Sequence, residues 1–298
     1  MNNVSSTKRS MQYRGRFAPS PSGLLHYGSL ITALASFLDA KHHQGQWLVR
    51  IEDIDPPREQ AGASDIILET LLAFGLQWDE DVMFQSQQYS RYNQIISSLK
   101  LDSLAYHCQC TRAQIKSIGG IYQGHCRHLN LTEQQSAIRV INQPKIAQYD
   151  DIFQGSVICD KHLAAEDFII KRRDGLYAYQ LAVVADDIEQ NITHVIRGCD
   201  LLEPTARQLS FFKILGKATP QYGHIPLAVT ELGYKLSKQN KAPAIDRNDP
   251  GSSLINALLF LGQQPPALLQ TADVKTIISW AIDNWQRKLV AKTREITI

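Results

Sequence analysis

Between Arg14 and Ile51 two short apolar runs flank one long one, and this alternation restricts the fold more than any other feature. Arg14–Ala18 has the character of a strand, and Pro19–Gly23 is turn chemistry. Leu30, Leu34, Phe37 and Leu38 then recur at helical spacing, with Ile31 and Ala35 beside them. Gly45 reads as the C-cap of that helix, and Trp47–Ile51 as the next strand. A strand, a crossover helix and a second strand in this order join parallel neighbours. The chain is therefore expected to be α/β around a parallel sheet.

The pattern continues downstream. EDIDPPR, Glu52–Arg58, lies where the second strand would surface. Amphipathic helices are expected near Ala63–Phe74 and Tyr89–Leu99. From about Ala105 to Asp167, cysteines, glycines and short apolar runs replace the clean alternation, which suggests an inserted subdomain. Asp167–Arg172 and Leu176–Tyr179 read as hairpin arms around Arg173-Asp174-Gly175. A helix from about Gln180 leads to Asp186-Asp187, followed by a strand at Thr193–Arg197. A helix with proline at its start covers Pro204–Leu215, Ile225–Val229 is a further strand, and the C-terminal segment reads as helical.

Composition excludes several classes. The 298 residues make room for one large domain or two ordinary ones, and 44% hydrophobic with 20% charged residues suits a globular chain with a sizeable core. A net charge of +2 does not advertise a nucleic-acid binder, although a local basic face is compatible with it. The first residues are polar and lack a secretory apolar region, and no run approaches the roughly 20 apolar residues of a membrane span. The expected address is the cytoplasm, with no membrane partner. Five cysteines, an odd number, argue against a disulfide framework. Cys108, Cys110 and Cys126 cluster, and three thiolates suit zinc. A closed site needs a fourth ligand, for which His107, His125 and His128 are the chemically usual candidates.

Two motifs bear on chemistry. RFAPSPSGLLHYGSL, Arg16–Leu30, sets a stiff polar turn before the apolar helix. A helix N-terminus offers unpaired N–H groups and positive potential to phosphate. His26 can donate to a phosphate oxygen, and Gly28 leaves space for a flat ring or sugar. KLSKQ, Lys235–Gln239, places two lysines three apart, able to neutralise charge developing on a leaving pyrophosphate. Singly, each motif also reads as an ordinary capped helix or a solvated lysine loop.

Together, HYGS and KLSKQ resemble the HIGH and KMSKS signatures of class I aminoacyl-tRNA synthetases. RFAPSPSGLLHYGS, VRIEDIDPPR, HCQC, LYAYQLAVVADD, VIRGCDLLEPTARQ and KLSKQNKAP resemble the glutamyl branch in order and spacing, over about Arg14–Leu261. The resemblance implies a Rossmann-like catalytic domain in two halves, 12–104 and 167–230. It further implies an inserted zinc-containing acceptor-type subdomain at 105–166, and a KLSKQ loop with a C-terminal helical stem-contact region at 231–298.

The same resemblance implies that Arg16, Ala18, Ser20, Glu52, Tyr179 and Arg197 hold L-glutamate. It places His26, Gly28, Ser29, Lys235 and Lys238 on ATP, with His26 and Lys238 catalytic and Mg²⁺ accompanying the triphosphate. The family's Y-x-x-x-C pattern points to Tyr122 as the fourth ligand of one structural zinc, with His125 in reserve. Full-length members continue into an anticodon-binding region, which this chain is expected to lack. With SIGGIYQGHCR at Ser117–Arg127, that expectation resembles the truncated members that glutamylate queuosine in tRNA(Asp). A monomer is expected. Two departures stand out: Val183 replaces a frequent asparagine, and KLSKQ differs from KMSKS at its second and fifth positions. The competing readings are an enzyme charging a tRNA 3′ end, a small-molecule nucleotidylyltransferase, and a zinc-bearing RNA-binding module without activity.

Overall fold

The computed structural model describes residues 12–230 and 245–298. Its first unit is the expected crossover. Strand β1 (Arg14–Phe17) and strand β2 (Gln46–Ile51) pair in parallel, Arg14 opposite Gln46 and Phe17 opposite Val49. Helix α1 (Tyr27–His42) joins them and is buried over most of its circumference, through Leu30, Ile31, Leu34, Phe37 and Leu38. A helix apolar on nearly every side must be covered on nearly every side, and this one lies in the middle of the main core.

Gly45 acts differently from the expected cap. The left-handed backbone falls on Gln44, φ 53°, and the Gly45 N–H closes on the Ala40 carbonyl at 2.9 Å. A Cβ on Gly45 would lie 2.6 Å from both Cβ and the carbonyl oxygen of Tyr13. Close approach of β1, not helix termination, requires the glycine.

Helix α2 (Ala63–Ala73), strand β3 (Met83–Phe84) and helix α3 (Tyr89–Leu101) follow, with β3 parallel to β2. Next come β4 (Ala105–Cys108), α4 (Arg112–Ser117), β5 (Ala137–Val140), β6 (Gln148–Asp151), β7 (Gly155–Ile158), α5 (Lys161–Ala165) and β8 (Ile169–Lys171). Strands β4, β5 and β8 form an antiparallel sheet in that order. The expected hairpin after it is reduced to one bridge, Lys171 to Tyr177, and Tyr179 opens helix α6 (Tyr179–Glu189).

The remaining elements are β9 (His194–Gly198), α7 (Leu202–Ile214), β10 (Gln221–Ile225), β11 (Leu227–Val229), α8 (Pro250–Phe260), α9 (Val274–Asn284) and β12 (Glu295–Thr297). A second sheet has the order β7-β6-β10-β9, with β10 parallel to both β6 and β9. Two strands from within 105–166 thus share a sheet with β9 and β10. Strand β9 runs beside β1, where the Thr193 N–H donates to the Arg14 carbonyl at 2.9 Å. The two parallel groups therefore meet at β1 and β9.

Two expectations fail for identifiable reasons. The single strand at Ile225–Val229 is divided by Pro226, which has no N–H for a ladder. The C-terminal segment is not wholly helical: β12 pairs in parallel with β11, Ala228 opposite Ile296. The same segment is tied to α1 through buried Asp39. That carboxylate accepts from Tyr13 Oη at 2.5 Å, Trp285 Nε1 at 3.0 Å, and Arg287 Nε and Nη2 at 2.7 and 2.8 Å. No helix among the described residues is long and apolar enough to cross a membrane.

Candidate functional site

A cleft of about 550 Å³ opens at the carboxyl ends of β1, β2 and β9, beside the N-terminus of α1. In open α/β sheets this is where ligands bind, outside the strand ends at the point where chain direction around the sheet reverses. One wall carries Arg16, Ala18 and Ser20, and the floor near α1 carries His26, Gly28 and Ser29. Glu52, Tyr179 and Arg197 complete the lining. Every candidate glutamate- or ATP-contacting residue in the described part of the chain therefore reaches one cavity. Lys235 and Lys238 lie outside the described residues.

The α1 end suits an anion. His26 is the N-cap, and its Nδ1 accepts the Ser29 N–H at 3.3 Å. An accepting Nδ1 leaves the ring proton of the neutral imidazole on Nε2, a donor. The first turn of α1 contains no acidic residue to neutralise its N–H groups.

The opposite end is built from buried charges. Arg16 Nε and Nη2 grip Asp187 at 3.1 and 3.2 Å, and Arg50 Nη2 reaches the same carboxylate at 2.7 Å. Burial opposes ionisation of Asp187, but Arg16 and Arg50 outweigh it and hold the carboxyl below its ordinary range. The neighbouring Asp186 goes the other way: burial raises it, although Tyr92 and Gln85 donate to it at 2.7 and 2.8 Å. Glu52 is pushed up to about 7 by burial, against the pull of Arg50 and Arg16. Arg50 Nη2 stands 3.8 Å from Glu52, beyond hydrogen-bond reach. A carboxylate held in this way gains from a cation brought into the cleft.

Arg197 is 3% exposed. Nη1 donates to Tyr179 Oη at 3.4 Å, Nη2 to Thr205 Oγ1 and Gln208 Oε1 at 2.6 and 2.7 Å, and Nε to His224 Nε2 at 3.1 Å. These four partners are uncharged groups. A guanidinium so placed on a cleft wall can take a carboxylate from a ligand. Val183 does not line the cleft; it is buried in the apolar cluster with Leu181 and Val184.

Sequence reasoning missed four of these residues. Asp187 and Arg50 lie within the motifs ADD and VRIED, but only the folded pairing shows that Asp187 holds Arg16 and that Arg50 shares the same carboxylate. Asp151 and His224, which meet through Oδ2 and Nδ1 at 2.6 Å, belong to no motif.

The three cysteines do converge. The sulfurs of Cys108, Cys110 and Cys126 lie within 4.8 Å of one another, with no histidine, aspartate or glutamate among the described residues joining them. His125, the reserve ligand, is exposed and outside the cluster. Tyr122 is 2% exposed, packs in the same small core, and its Oη accepts the Cys126 N–H at 2.8 Å. Three close thiols with an adjacent phenol form a donor set that suits a soft divalent ion.

A family model described as "tRNA synthetases class I (E and Q), catalytic domain" matches residues 12–295. The chain is 62% identical to a glutamyl-Q tRNA(Asp) synthetase of Colwellia psychrerythraea, covering 98% of this chain and 96% of the relative. It is 52% identical to the glutamyl-Q tRNA(Asp) synthetase of Escherichia coli K12, covering 95% and 92%. Among solved structures it is similar to a glutamate-tRNA synthetase from Elizabethkingia anophelis, with 26% identity and a TM-score of 0.78. That match covers 96% of this chain and 68% of the other.

Proposed function

The chain belongs to the glutamate- and glutamine-specific class I tRNA synthetases, and we propose that it activates L-glutamate with ATP and transfers the glutamyl group to queuosine in tRNA(Asp). The acceptor follows from the close relatives, which carry the name glutamyl-Q tRNA(Asp) synthetase at 62, 54 and 52% identity over nearly the whole chain. One observation carries the site assignment. A single cleft has phosphate-binding geometry at one end, and a buried carboxylate and a buried arginine at the other.

In the first step a carboxylate oxygen of glutamate attacks the α-phosphorus of ATP. The bond to the β-phosphate oxygen breaks, and pyrophosphate leaves. Catalysis here is positioning and charge stabilisation. Glu52 takes the substrate ammonium, and Arg197 with Tyr179 takes the side-chain carboxylate. The Ala18 and Ser20 segment lines the cleft between these ends, and Arg16, steadied by Asp187, stands beside the reacting carboxylate. His26 Nε2–H, Gly28, Ser29 and the α1 N-terminus hold the phosphates, together with Lys235 and Lys238 of the KLSKQ segment. Mg²⁺ bound to the triphosphate supplies further screening of its charge. In the second step a hydroxyl of the queuosine cyclopentenediol attacks the mixed anhydride, an ester forms, and AMP leaves.

Cys108, Cys110, Tyr122 and Cys126 fit a structural zinc that staples the segment after β4. Four protein ligands leave no open position for catalysis. The division into a two-part catalytic domain, 12–104 and 167–230, with an insertion at 105–166, completes the reading. In it, β6 and β7 dock onto the catalytic sheet.

Glutamate-dependent ATP–pyrophosphate exchange tests the first step. Labelled glutamate transfer to tRNA(Asp) with and without queuosine tests the second. The proposal requires exchange, and transfer only to the queuosine form. Label on the 3′ end of tRNA lacking queuosine overturns it in favour of an ordinary charging enzyme, and absence of exchange overturns it altogether.

A further inference from the structure

The pair behind Arg197, Asp151 and His224, has a specific geometry. Asp151 ends β6 and His224 lies in the neighbouring β10, and both side chains are fully buried. Asp151 Oδ1 accepts three backbone N–H groups, from Phe153 at 3.0 Å, Gln154 at 2.9 Å and His224 at 3.0 Å. Those bonds fix the plane of the carboxylate and aim Oδ2 at His224 Nδ1, 2.6 Å away. On the other side of the ring, Nε2 faces Arg197 Nε at 3.1 Å. A guanidinium Nε can only donate. His224 Nε2 must therefore accept, and the ring proton must lie on Nδ1, where Asp151 receives it.

We propose that Asp151 and His224 are positioning residues acting through Arg197: they hold one imidazole tautomer, which pins Nε of the guanidinium and turns Nη1 toward the cleft, where it selects a side-chain carboxylate over a neutral amide. This rests on the reading of the cleft as a glutamate site. Three observations support it. Nη2 is already anchored by Thr205 and Gln208, so the Nε contact supplies the second point that stops the fork rotating. The guanidinium also lies over the Tyr222 ring, 4.9 Å from its centroid, which restrains its plane. Burial holds the His224 pKa below its ordinary value, so the ring stays neutral and does not repel the arginine. His224 and Asp151 do not line the cleft, and neither touches the reacting atoms.

The test compares Asp151→Asn, His224→Gln and His224→Leu in the exchange reaction, after folding is checked by thermal unfolding. Gln can present an acceptor near the Nε2 position; Leu cannot. Asp151→Asn and His224→Leu are expected to raise KM for glutamate by about tenfold or more, the effect of orphaning a buried donor. KM for ATP should stay within about twofold, and His224→Gln should recover part of the loss. The ratio of glutamate to glutamine activation should fall in step. A rise in both KM values together, or an unchanged glutamate KM in folded variants, overturns the proposal. ¹⁵N-histidine spectra of the unaltered protein decide independently: His224 should be neutral with the proton on Nδ1, and an Nε2-protonated ring overturns it even if no variant folds. Failure of the unaltered protein to exchange at all refutes the glutamate reading instead, and the spectra still report on the pair.

Discussion

Glu52→Gln is expected to stabilise the free protein while crippling it. Glu52 lies at the cleft with its side chain 10% exposed and no cation within hydrogen-bond distance, Arg50 being 3.8 Å away. Burial lifts its pKa from 4.5 to about 7. The unfolded chain therefore loses this proton first as pH rises. Between pH 4.5 and 7 the folded state forfeits stability, and above 7 the whole penalty is present. A shift of that size corresponds to about 3 kcal/mol at 1.36 kcal/mol per unit. Gln does not ionise, so the variant should exceed the parent by about 1–3 kcal/mol at pH 8. That is a rise in Tm of roughly 2–6 °C for a chain of this size. The gap should narrow as pH falls from 7 to 4.5 and close below 4.5, where the parent is protonated in both states. The same change removes the partner of the substrate ammonium, so KM for glutamate should rise at least about tenfold. In the parent, glutamate binding should tighten as pH rises through 7, because the ionised carboxylate is the competent form. Thermal unfolding across pH 4.5–8.5, with exchange kinetics on both proteins, measures all of this. A variant less stable than the parent at pH 8, or a gap independent of pH, refutes the argument.

Other outcomes follow from single contacts. Gly45→Ala should destabilise by about 1–3 kcal/mol, because its Cβ meets the Tyr13 backbone and Cβ at 2.6 Å; denaturant unfolding reads it, and KM values should not move. Elemental analysis should find about one zinc per parent chain, and Cys126→Ser should abolish that content and increase hydrogen exchange around β4 and Tyr122. Asp39→Asn should cost about 2 kcal/mol by weakening its bonds to Arg287, loosening the C-terminal segment in native-state hydrogen exchange.

The parts of this fold legible in the sequence are those coded locally. The β1–α1–β2 crossover shows because helical spacing, turn residues and strand residues follow one another within a short stretch. His26 and Gly28 show through the polar turn before α1, but the glutamate-side residues show only through resemblance to a family, since nothing local distinguishes Arg197 from a surface arginine or Tyr179 from a core tyrosine. What stays hidden is pairing at long range. Asp151 and His224 are 73 residues apart, and Asp187 lies 171 residues from Arg16. Neither pair has a pattern until β10 lies beside β6 and helix α6 brings Asp187 to β1. β12 is similarly invisible: Glu295–Thr297 is three residues, too short for a periodicity, and its partner β11 is set apart by Pro226. The reason for Gly45 also lies in tertiary structure, in the approach of Tyr13 rather than in the helix it follows.

A crystal structure with a non-hydrolysable glutamyl-adenylate analogue, a sulfamoyl adenosine, measures the central claim most directly. The adenosine and sulfamate should lie at His26 and the N-terminus of α1, the ammonium within hydrogen-bond reach of Glu52, and the side-chain carboxylate on Arg197 Nη1 and Tyr179. An analogue bound elsewhere, or seated with its side-chain carboxylate away from Arg197, contradicts the account.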